Sequence, residues 1–211
     1  MGKRLKLYAT PLSHFARKIR ILLHALDLPF ELVLVEDLLS SNPEDFGGNP
    51  ILRIPTLVDE ETWVVESDRI AQYLVEEYDP EDRFGVLSMD VAQRNALSMI
   101  NAAMGAEVEI LLSQRSGIDG IQDYHYFQRY YTVIEQCLHW LETEGPFLWP
   151  SQDISYLDIA LVCMWDHLAH YQAIPEMKRF AWMKKRAQGF GSLDCFRESA
   201  PKAQEAIRKP T

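Results

Sequence analysis

The residues best suited to chemistry lie in one short stretch, Ile54 to Ser67. Its Ile54-Pro55 pair predicts a tight proline turn that feeds a hairpin, and Ser67 stands where the N-cap of the following helix belongs. A helix start with a free hydroxyl and exposed backbone N–H groups is a ready carboxylate site. Because the proline can hold the backbone groups of Ile54 toward a ligand, the stretch predicts a site for a small molecule that carries a carboxylate.

A metal site is the second chemistry to consider, at His167 and His170. These histidines lie three residues apart beside Asp166, a spacing that could point two nitrogens at one ion. No second cluster in the sequence completes a coordination set, and histidines between apolar neighbours on a helix usually serve packing or surface contacts. The sequence therefore predicts no metal.

The elements that position the proline turn belong to an α/β half. Up to about Tyr78 the hydrophobic pattern alternates between a period of two and a period of 3.6, which is typical of strands that alternate with helices. It predicts a strand around Leu5 and Leu7, a helix with an apolar stripe from Phe15 to Leu26, a strand over Glu31 to Val35, the hairpin, and a helix from Ser67.

The remainder of the chain is predicted to be helical. Strand signals disappear after the polar stretch Asp79 to Gly85, and helical spacing covers every long segment. The predicted helices run from about Asp90 to Arg115, Ile121 to Thr143, Ser155 to Tyr171 and Pro175 to Ala187. Ser155 and Asp158 have the spacing of a capping box with Asp in the Glu position. We expect an α/β domain over residues 1–79, a linker over 80–88 and an all-α domain over 89–211.

Composition excludes several classes of protein. The 211 residues are 47% hydrophobic and carry a formal net charge of −10, so an anionic nucleic acid or membrane surface would be repelled. No uninterrupted apolar stretch approaches the roughly 20 residues of a membrane span. The three cysteines lack CxxC spacing and all lie in the second half. We expect a cytoplasmic protein without nucleic-acid or membrane partners.

The order of these features resembles a cytosolic glutathione S-transferase over nearly the whole chain. Four places carry the resemblance: Thr10 to Arg20 at the first helix, Asn49 to Leu57 around the proline, Glu66-Ser67, and Ser155 to Asp158 with its helix. It implies a thioredoxin-like domain that binds glutathione, followed by a helical bundle that builds most of the pocket for a second, apolar and electrophilic substrate.

The resemblance also implies a role for each residue of the proline turn. Ile54 would exchange backbone hydrogen bonds with the cysteinyl part of glutathione, and Pro55 would follow a cis peptide bond. Glu66 would hold the ammonium of the γ-glutamyl end, and Ser67 its carboxylate. Arg53, where relatives often have lysine, would pair with the glycyl carboxylate, although its planar fork differs from a lysine point charge.

Ser13 stands where serine-type, bacterial-like members of the family keep the hydroxyl that activates the thiol. A free thiol has a pKa near ~8.5, and lowering it by about two units needs roughly 2.7 kcal/mol of preferential thiolate binding. A helix N-terminus contributes ~0.3–1 kcal/mol, or up to ~2 when partly buried. A hydrogen bond to a charged group adds roughly 1.5–3 kcal/mol. Hydroxyl and helix together suffice, whereas the helix alone falls short.

Two alternatives to this role of Ser13 remain open in the sequence. Ser13 can be a plain N-cap with no ligand, and Tyr8, near the end of the first strand, is the rival hydroxyl because tyrosine-type members use a phenol from that region. Cysteine-type members carry a thiol at the Ser13 position, so the serine favours thiolate stabilisation over glutathione-dependent disulfide exchange.

The resemblance predicts a homodimeric glutathione transferase that detoxifies small, largely apolar electrophiles, with glutathione as co-substrate. The alternative is a non-catalytic relative that uses the same fold to bind a protein partner or carry a ligand, as the RNA polymerase-associated members do.

Overall fold

The structure, a computed structural model, describes residues 5–150 and 154–201. These residues form two compact units, one made of residues 5–88 with 191–201 and one made of residues 89–190. The first unit differs from the predicted first domain because it includes a segment from the C-terminal part of the chain.

The first unit is built on a four-stranded mixed sheet with the strand order β2-β1-β3-β4. β1 pairs in parallel with β2 and antiparallel with β3, which pairs antiparallel with β4. The strands are β1 (Leu5–Ala9), β2 (Phe30–Leu34), β3 (Thr56–Asp59) and β4 (Thr62–Val65), and the helices are α1 (His14–Ala25), α2 (Ser67–Tyr78) and α7 (Asp194–Glu198). The predicted thioredoxin-like arrangement is confirmed.

Helix α1 forms where the apolar stripe predicted it. Ile19, Leu22 and Leu23 are fully buried, so this face of α1 packs into the core of the unit. The chain leaves the helix through Asp27, whose φ of 55° is left-handed, before Pro29.

Helix α2 begins one residue earlier than the sequence indicated. Ser67 is its first helical residue, and Glu66 is the N-cap, with no side-chain capping hydrogen bond. The prediction of Ser67 as the N-cap is therefore wrong. Local sequence favoured the serine because Ser is a preferred cap, but Glu66 takes a φ of 67° and a ψ of 123°, which turns the chain out of β4.

The segment 191–201 joins the first unit through a buried arginine of α1. The Arg17 side chain, 3% exposed, donates from Nε to Ser199 Oγ at 3.1 Å and from Nη2 to the Phe196 carbonyl at 3.0 Å. A buried guanidinium needs such acceptors, and these come from about 180 positions along the chain.

The described residues of the second unit include four α-helices. They are α3 (Val91–Arg115), α4 (His125–Leu148), α5 (Tyr156–His170) and α6 (Ala181–Gln188). The four predicted helices are confirmed in order, with shifts at the starts of α4 and α6 and at the end of α4, whereas the sequence did not predict α7. α4 begins at His125 after a short 3-10 turn, and α6 begins only at Ala181 because Glu176, with a φ of 57°, and another 3-10 turn precede it.

Helix α3 is long and apolar enough to cross a membrane by length and composition alone, with a mean hydropathy of 1.3. Polar residues such as Asn95 and Ser98 interrupt its apolar run, so the helix contains no uninterrupted apolar stretch of that length. In the structure 44% of its apolar window is buried, and α3 packs against α4 and α5. A single such helix is weak evidence for a span, since the core helix of a bundle meets the same criteria.

Candidate functional site

The strand register brings the predicted site residues to one edge of the sheet. Tyr8 lies opposite Thr56 in the β1–β3 pair, and Thr56 lies opposite Val65 in the β3–β4 pair. Pro55 directly precedes Thr56 and Glu66 directly follows Val65, so the end of β1, the proline turn and the start of α2 share this edge. We call the predicted residues there the site edge: Ser13, Arg53, Ile54, Pro55, Glu66 and Ser67.

Ser13 reaches the site edge through the turn that leaves the end of β1. It is the N-cap of α1, and its Oγ accepts a hydrogen bond from the Ala16 N–H at 3.2 Å. Arg20 supports the turn by donating from Nη1 to the Pro11 carbonyl at 3.2 Å. The bond from Ala16 uses only a lone pair of the Ser13 hydroxyl. No acceptor for the hydroxyl proton of Ser13 occurs among residues 5–150 and 154–201, so the Ser13 O–H remains available as a donor. Capping and ligand binding are therefore compatible.

His14 follows Ser13 as the first residue of α1. The position suits proline in many helices, but His14 still allows the cap at Ser13 to form. Its ring is 2% exposed and lies 4.8 Å from the ring of Phe15.

Tyr8 lies at the end of β1, and its ring faces Gly47. A Cβ added to Gly47 would come within 2.7 Å of the Tyr8 ring, so the glycine permits this close approach. Gly47 also has a φ of 71°, which other residues adopt less readily. The phenol is thus fixed by packing, and no hydrogen bond to its hydroxyl occurs within the described part of the chain.

The proline turn has the backbone geometry that the resemblance implied. The Ile54–Pro55 peptide bond is cis. Within the described ranges, neither the N–H nor the C=O of Ile54 has a hydrogen-bond partner, although the residue is only partly exposed. Backbone N–H and C=O groups are strong hydrogen-bonding groups, so Ile54 offers a donor and an acceptor to an extended ligand.

Asn49 is a residue of this turn whose role the sequence analysis missed. Its side chain is 1% exposed and makes hydrogen bonds to three residues of the loop, Ile51, Arg53 and Thr56. The Asn-Pro pair was visible in the sequence as a turn signal, but the partners of the amide were not.

Glu66 and Ser67 lie at the start of α2 with side chains available to a ligand. Glu66 is exposed, and its φ of 67° is uncommon for a residue with a side chain. Ser67 is 5% exposed, and no side-chain hydrogen bond of Ser67 occurs among the residues described. Its N–H is one of the helix-initial donors without an intrahelical partner. Carboxylate and hydroxyl thus flank a helix N-terminus that favours anions.

An ion pair between a buried lysine and a half-buried aspartate connects the two helices that begin at the site edge. Lys18 Nζ, on α1, lies 2.7 Å from Asp68 Oδ1, on α2, and the Lys18 side chain is fully buried. The Lys18 ammonium also lies 5.4 Å from the centre of the Phe15 ring. The ion pair therefore links the start of α2 to α1.

Arg53 is the predicted site residue with the least support from its neighbours. Its side chain is exposed, and its guanidinium makes no hydrogen bond or ion pair with any described residue. Only its carbonyl is fixed, by Asn49. The side chain is therefore free to meet a carboxylate.

The two histidines considered for a metal share a contact with Tyr171, whose ring centre lies 4.7 Å from that of His167 and 4.8 Å from that of His170. His167 Nδ1 also lies 2.7 Å from Glu107 Oε2, and both of these side chains are almost fully buried. The expectation of no metal stays a prediction.

The thiols of the chain itself lie outside residues 5–88. Cys137 donates to Met99 Sδ at 3.9 Å, beside a groove of about 420 Å³ between α3 and α4 that Trp140 and Glu144 also line. Burial raises the pKa of the Cys137 thiol and also that of Cys195. Both thiols are therefore poor nucleophiles at neutral pH.

Comparisons with known proteins concern the N-terminal domain and the fold. Residues 7–82 match the family model of the glutathione S-transferase N-terminal domain. A search of curated protein sequences gives no match.

Solved structures match over nearly the whole chain. A glutathione S-transferase from Methylobacterium radiotolerans in complex with glutathione sulfonate is 23% identical, with a TM-score of 0.77, and the match covers 94% of this chain and 95% of that one. A glutathione S-transferase from Methylobacillus flagellatus with bound glutathione is 22% identical, with a TM-score of 0.75 and coverages of 93% and 99%. A glutathione transferase from Phanerochaete chrysosporium with oxidised glutathione is 19% identical, with a TM-score of 0.74 and coverages of 100% and 99%.

Proposed function

We propose that the chain, whose residues 7–82 match the glutathione S-transferase N-terminal domain model and whose fold resembles solved glutathione S-transferases over nearly its whole length, binds glutathione and transfers the thiolate to small electrophiles. The observation that carries the proposal is the unpaired N–H and C=O of Ile54 beside the cis proline. Those groups suit the cysteinyl part of a peptide, in the manner of an added strand.

Each end of the tripeptide has a matching partner at the site edge. The hydroxyl and N–H of Ser67 at the start of α2 bind the γ-glutamyl carboxylate, and Glu66 binds its ammonium. Arg53, whose guanidinium has no partner among the described residues, binds the glycyl carboxylate. The sulfur then points toward Ser13 and the N-terminus of α1.

Ser13 stabilises the thiolate with the proton that its capping bond leaves unused. A hydrogen bond to a charged atom contributes roughly 1.5–3 kcal/mol, and the α1 N-terminus adds ~0.3–1 kcal/mol or more. The proton of the thiol leaves to solvent. The thiolate attacks an electrophilic carbon, so a C–S bond forms as the bond to the leaving group breaks, or as electrons move onto the electrophile in an addition.

The first experiment measures glutathione binding by calorimetry in two buffers that differ in ionisation heat. We expect proton release when glutathione binds at neutral pH, since its thiol becomes a thiolate in the site. S-methylglutathione is the matched control, because it has every contact except the ionisable thiol and should bind without proton release. Binding of glutathione with no proton release would contradict the role given to the thiolate.

The second experiment measures turnover of a chloronitroaromatic and of an isothiocyanate with glutathione. Turnover of either supports a transferase that detoxifies electrophiles. Glutathione binding without turnover of any electrophile would favour the alternative, a non-catalytic relative that binds a partner or ligand. Absence of both binding and turnover would overturn the assignment of the site edge to glutathione.

We further propose a cytoplasmic homodimer without a nucleic-acid or membrane partner. Sedimentation equilibrium tests the dimer, and a monomer at micromolar concentration would contradict it.

A further inference from the structure

The loop that leads into the cis proline is bridged by the buried side chain of Asn49, and the buried Thr56 hydroxyl adds one long hydrogen bond, of 3.5 Å, to the Arg53 carbonyl. The Asn49 Nδ2 donates to the Arg53 carbonyl at 2.9 Å and to Thr56 Oγ1 at 3.2 Å, and its Oδ1 accepts from the Ile51 N–H at 3.0 Å. These bonds reach residues on both sides of the cis peptide. A fully buried amide that uses donor and acceptor in this way fixes the loop it bridges.

The backbone of the loop offers little support of its own. Within the loop of residues 49–55, which the structure describes completely, the backbone–backbone hydrogen bond that forms runs from the Leu52 N–H to the Asn49 carbonyl at 3.1 Å. Leu52 has a φ of 56°, a conformation that a residue with a side chain seldom adopts without support from its surroundings. The shape of the loop therefore depends on the Asn49 amide.

The bond from Asn49 to the Arg53 carbonyl also sets the direction of the next N–H. The peptide bond between Arg53 and Ile54 is not among the cis bonds of the described chain, so it is trans, and its C=O and N–H point in opposite directions. Since the carbonyl points at the buried Asn49, the Ile54 N–H points away from it. The same bond anchors the backbone from which the Arg53 side chain extends.

We propose that Asn49 is a positioning residue for the part of the site that binds the cysteinyl and glycyl groups. It makes the site prefer the complete tripeptide over a ligand that lacks the glycyl group. It does so by orienting the Arg53–Ile54 peptide plane, without contacting the ligand. This inference rests on the proposed glutathione site. It adds that different parts of the fold support the binding of the two ends of glutathione. Asn49 supports the glycyl end, whereas the γ-glutamyl end binds Glu66 and Ser67 at the start of α2, where Asp68 pairs with Lys18.

The test compares the affinities of three ligands by calorimetry: glutathione, γ-glutamylcysteine, which lacks the glycyl group, and cysteinylglycine, which lacks the γ-glutamyl group. The parent should prefer glutathione over γ-glutamylcysteine by about tenfold, the low end for one charge-assisted hydrogen bond. In Asn49→Ala that preference should fall below about threefold, since Arg53 is no longer held. The preference over cysteinylglycine should stay at the parent's value.

The matched control is Asn42→Ala. Asn42 lies in the same segment, and its Oδ1 likewise accepts a hydrogen bond from the N–H two residues on, that of Glu44 at 3.3 Å. It is exposed, however, and its contacts lie within residues 40–45. Both preferences should match the parent's in this control.

Thr56→Val is a second variant, for use if Asn49→Ala fails to fold. It removes the hydroxyl that accepts from Asn49 and that itself donates to the Arg53 carbonyl at 3.5 Å, while keeping the volume, and should reduce the glycyl preference by about twofold to threefold. Unchanged preferences in the folded Asn49 variant, or an equal loss for all three ligands, would show a merely structural role and overturn the inference. Failure of the parent to bind glutathione would instead overturn the proposed function itself, and the inference with it.

Discussion

Ser13 caps a helix in the first unit and Ser155 caps a helix in the second. The two caps differ in how many of their donors and acceptors already have hydrogen-bond partners. Ser155 and Asp158 form a full capping box at the start of α5, and both side chains are buried. The Asp158 carboxylate also accepts from Trp149 Nε1 at 2.8 Å and from both Nε and Nη2 of Arg186. Ser13 is only partly buried and keeps an unused donor.

The difference separates a structural serine from a serine that can serve a ligand. A buried cap whose donors and acceptors are all used stabilises a helix and has no capacity left for a ligand. The Ser13 cap lies at an edge where Ile54 and Ser67 also have unused hydrogen-bonding groups, so it is suited to bind a ligand. The distinguishing property is the hydrogen-bonding capacity left after folding, and the residue type does not reveal it.

The largest expected effect is on the completed cap. Asp158→Asn removes the charge that faces Arg186 and one acceptor of the capping box, so the free energy of unfolding should fall by about 3–5 kcal/mol. Urea denaturation measures it, with Asp119→Asn, an exposed loop substitution, as the control. A loss under about 1 kcal/mol would mean that the ion pair is not a significant part of the stability of the unit.

The next effect concerns the incomplete cap. Ser13→Ala should lower the unfolding free energy by about 1 kcal/mol, but should lower kcat/KM with glutathione by about ten- to a hundredfold because the thiolate loses its donor. The acidic limb of the pH–rate profile should move to higher pH, since the pKa of the bound thiol rises. Tyr8→Phe removes the rival hydroxyl at the same edge and should change the rate by less than about threefold. A larger loss in Tyr8→Phe would make the phenol the donor.

Ser155→Ala tests the same substitution at the completed cap. Stability should fall by about 1–2 kcal/mol, whereas the affinity for glutathione should stay unchanged because α5 carries none of the site-edge residues. Ser98→Ala, which removes an exposed hydroxyl from α3, is the control and should have little effect. If Ser155→Ala altered glutathione affinity as much as Ser13→Ala, the contrast between the two caps would not hold.

The smallest effect concerns a polar cluster of the first unit that lies away from the site edge. Asp59, at the other end of β3, accepts hydrogen bonds on Oδ2 from the hydroxyls of Tyr73 and Tyr78. Burial, reinforced by the bond to Asp59 and by its charge, raises the pKa of Tyr73 from its usual 10.0 to about 12. The pKa of Tyr78 is also raised, first by burial and then by Asp59.

The sign of the pH dependence follows from these directions. The folded state favours the neutral phenol, so its stabilisation is complete below the unfolded pKa and is lost as pH rises from about 10 to about 12. Tyr73→Phe should therefore flatten the decline in unfolding free energy over that range, measured by urea denaturation at each pH. Tyr124→Phe, at an exposed position, is the control. An equal slope in the parent and Tyr73→Phe would contradict the coupling to Asp59.

Much of the fold could be predicted from the sequence because the signals are local. The apolar stripe of α1 and the capping box at Ser155 and Asp158 each involve residues within a few turns of one another. The position of the proline turn was also visible, since Asn49-Pro50 and Ile54-Pro55 punctuate the chain. The cis bond at Pro55 followed from the resemblance, since most such bonds are trans.

The errors and omissions have one physical origin, which is that a side chain's partners can come from distant residues. Arg17 is held by the segment after residue 190, about 180 positions away, which no local pattern indicates. Asn49 bonds to Thr56 only seven residues on, but the path of the backbone that brings them together is not visible in the sequence. The helix start at Glu66 was missed for a related reason. The hairpin sets its left-handed backbone, whereas the preference of serine for capping is local.

The sequence by itself determined where strands and helices form and which residue types stand at their ends, because periodicity and capping act over a few residues. Only the tertiary structure decided which polar groups are used up by folding. Asp158 is saturated by Arg186, 28 positions away, while Ile54 and Ser67 have no such partner among the described residues. A hydrogen bond depends on distance and direction in space, so the groups left for a ligand are fixed only when the chain has folded.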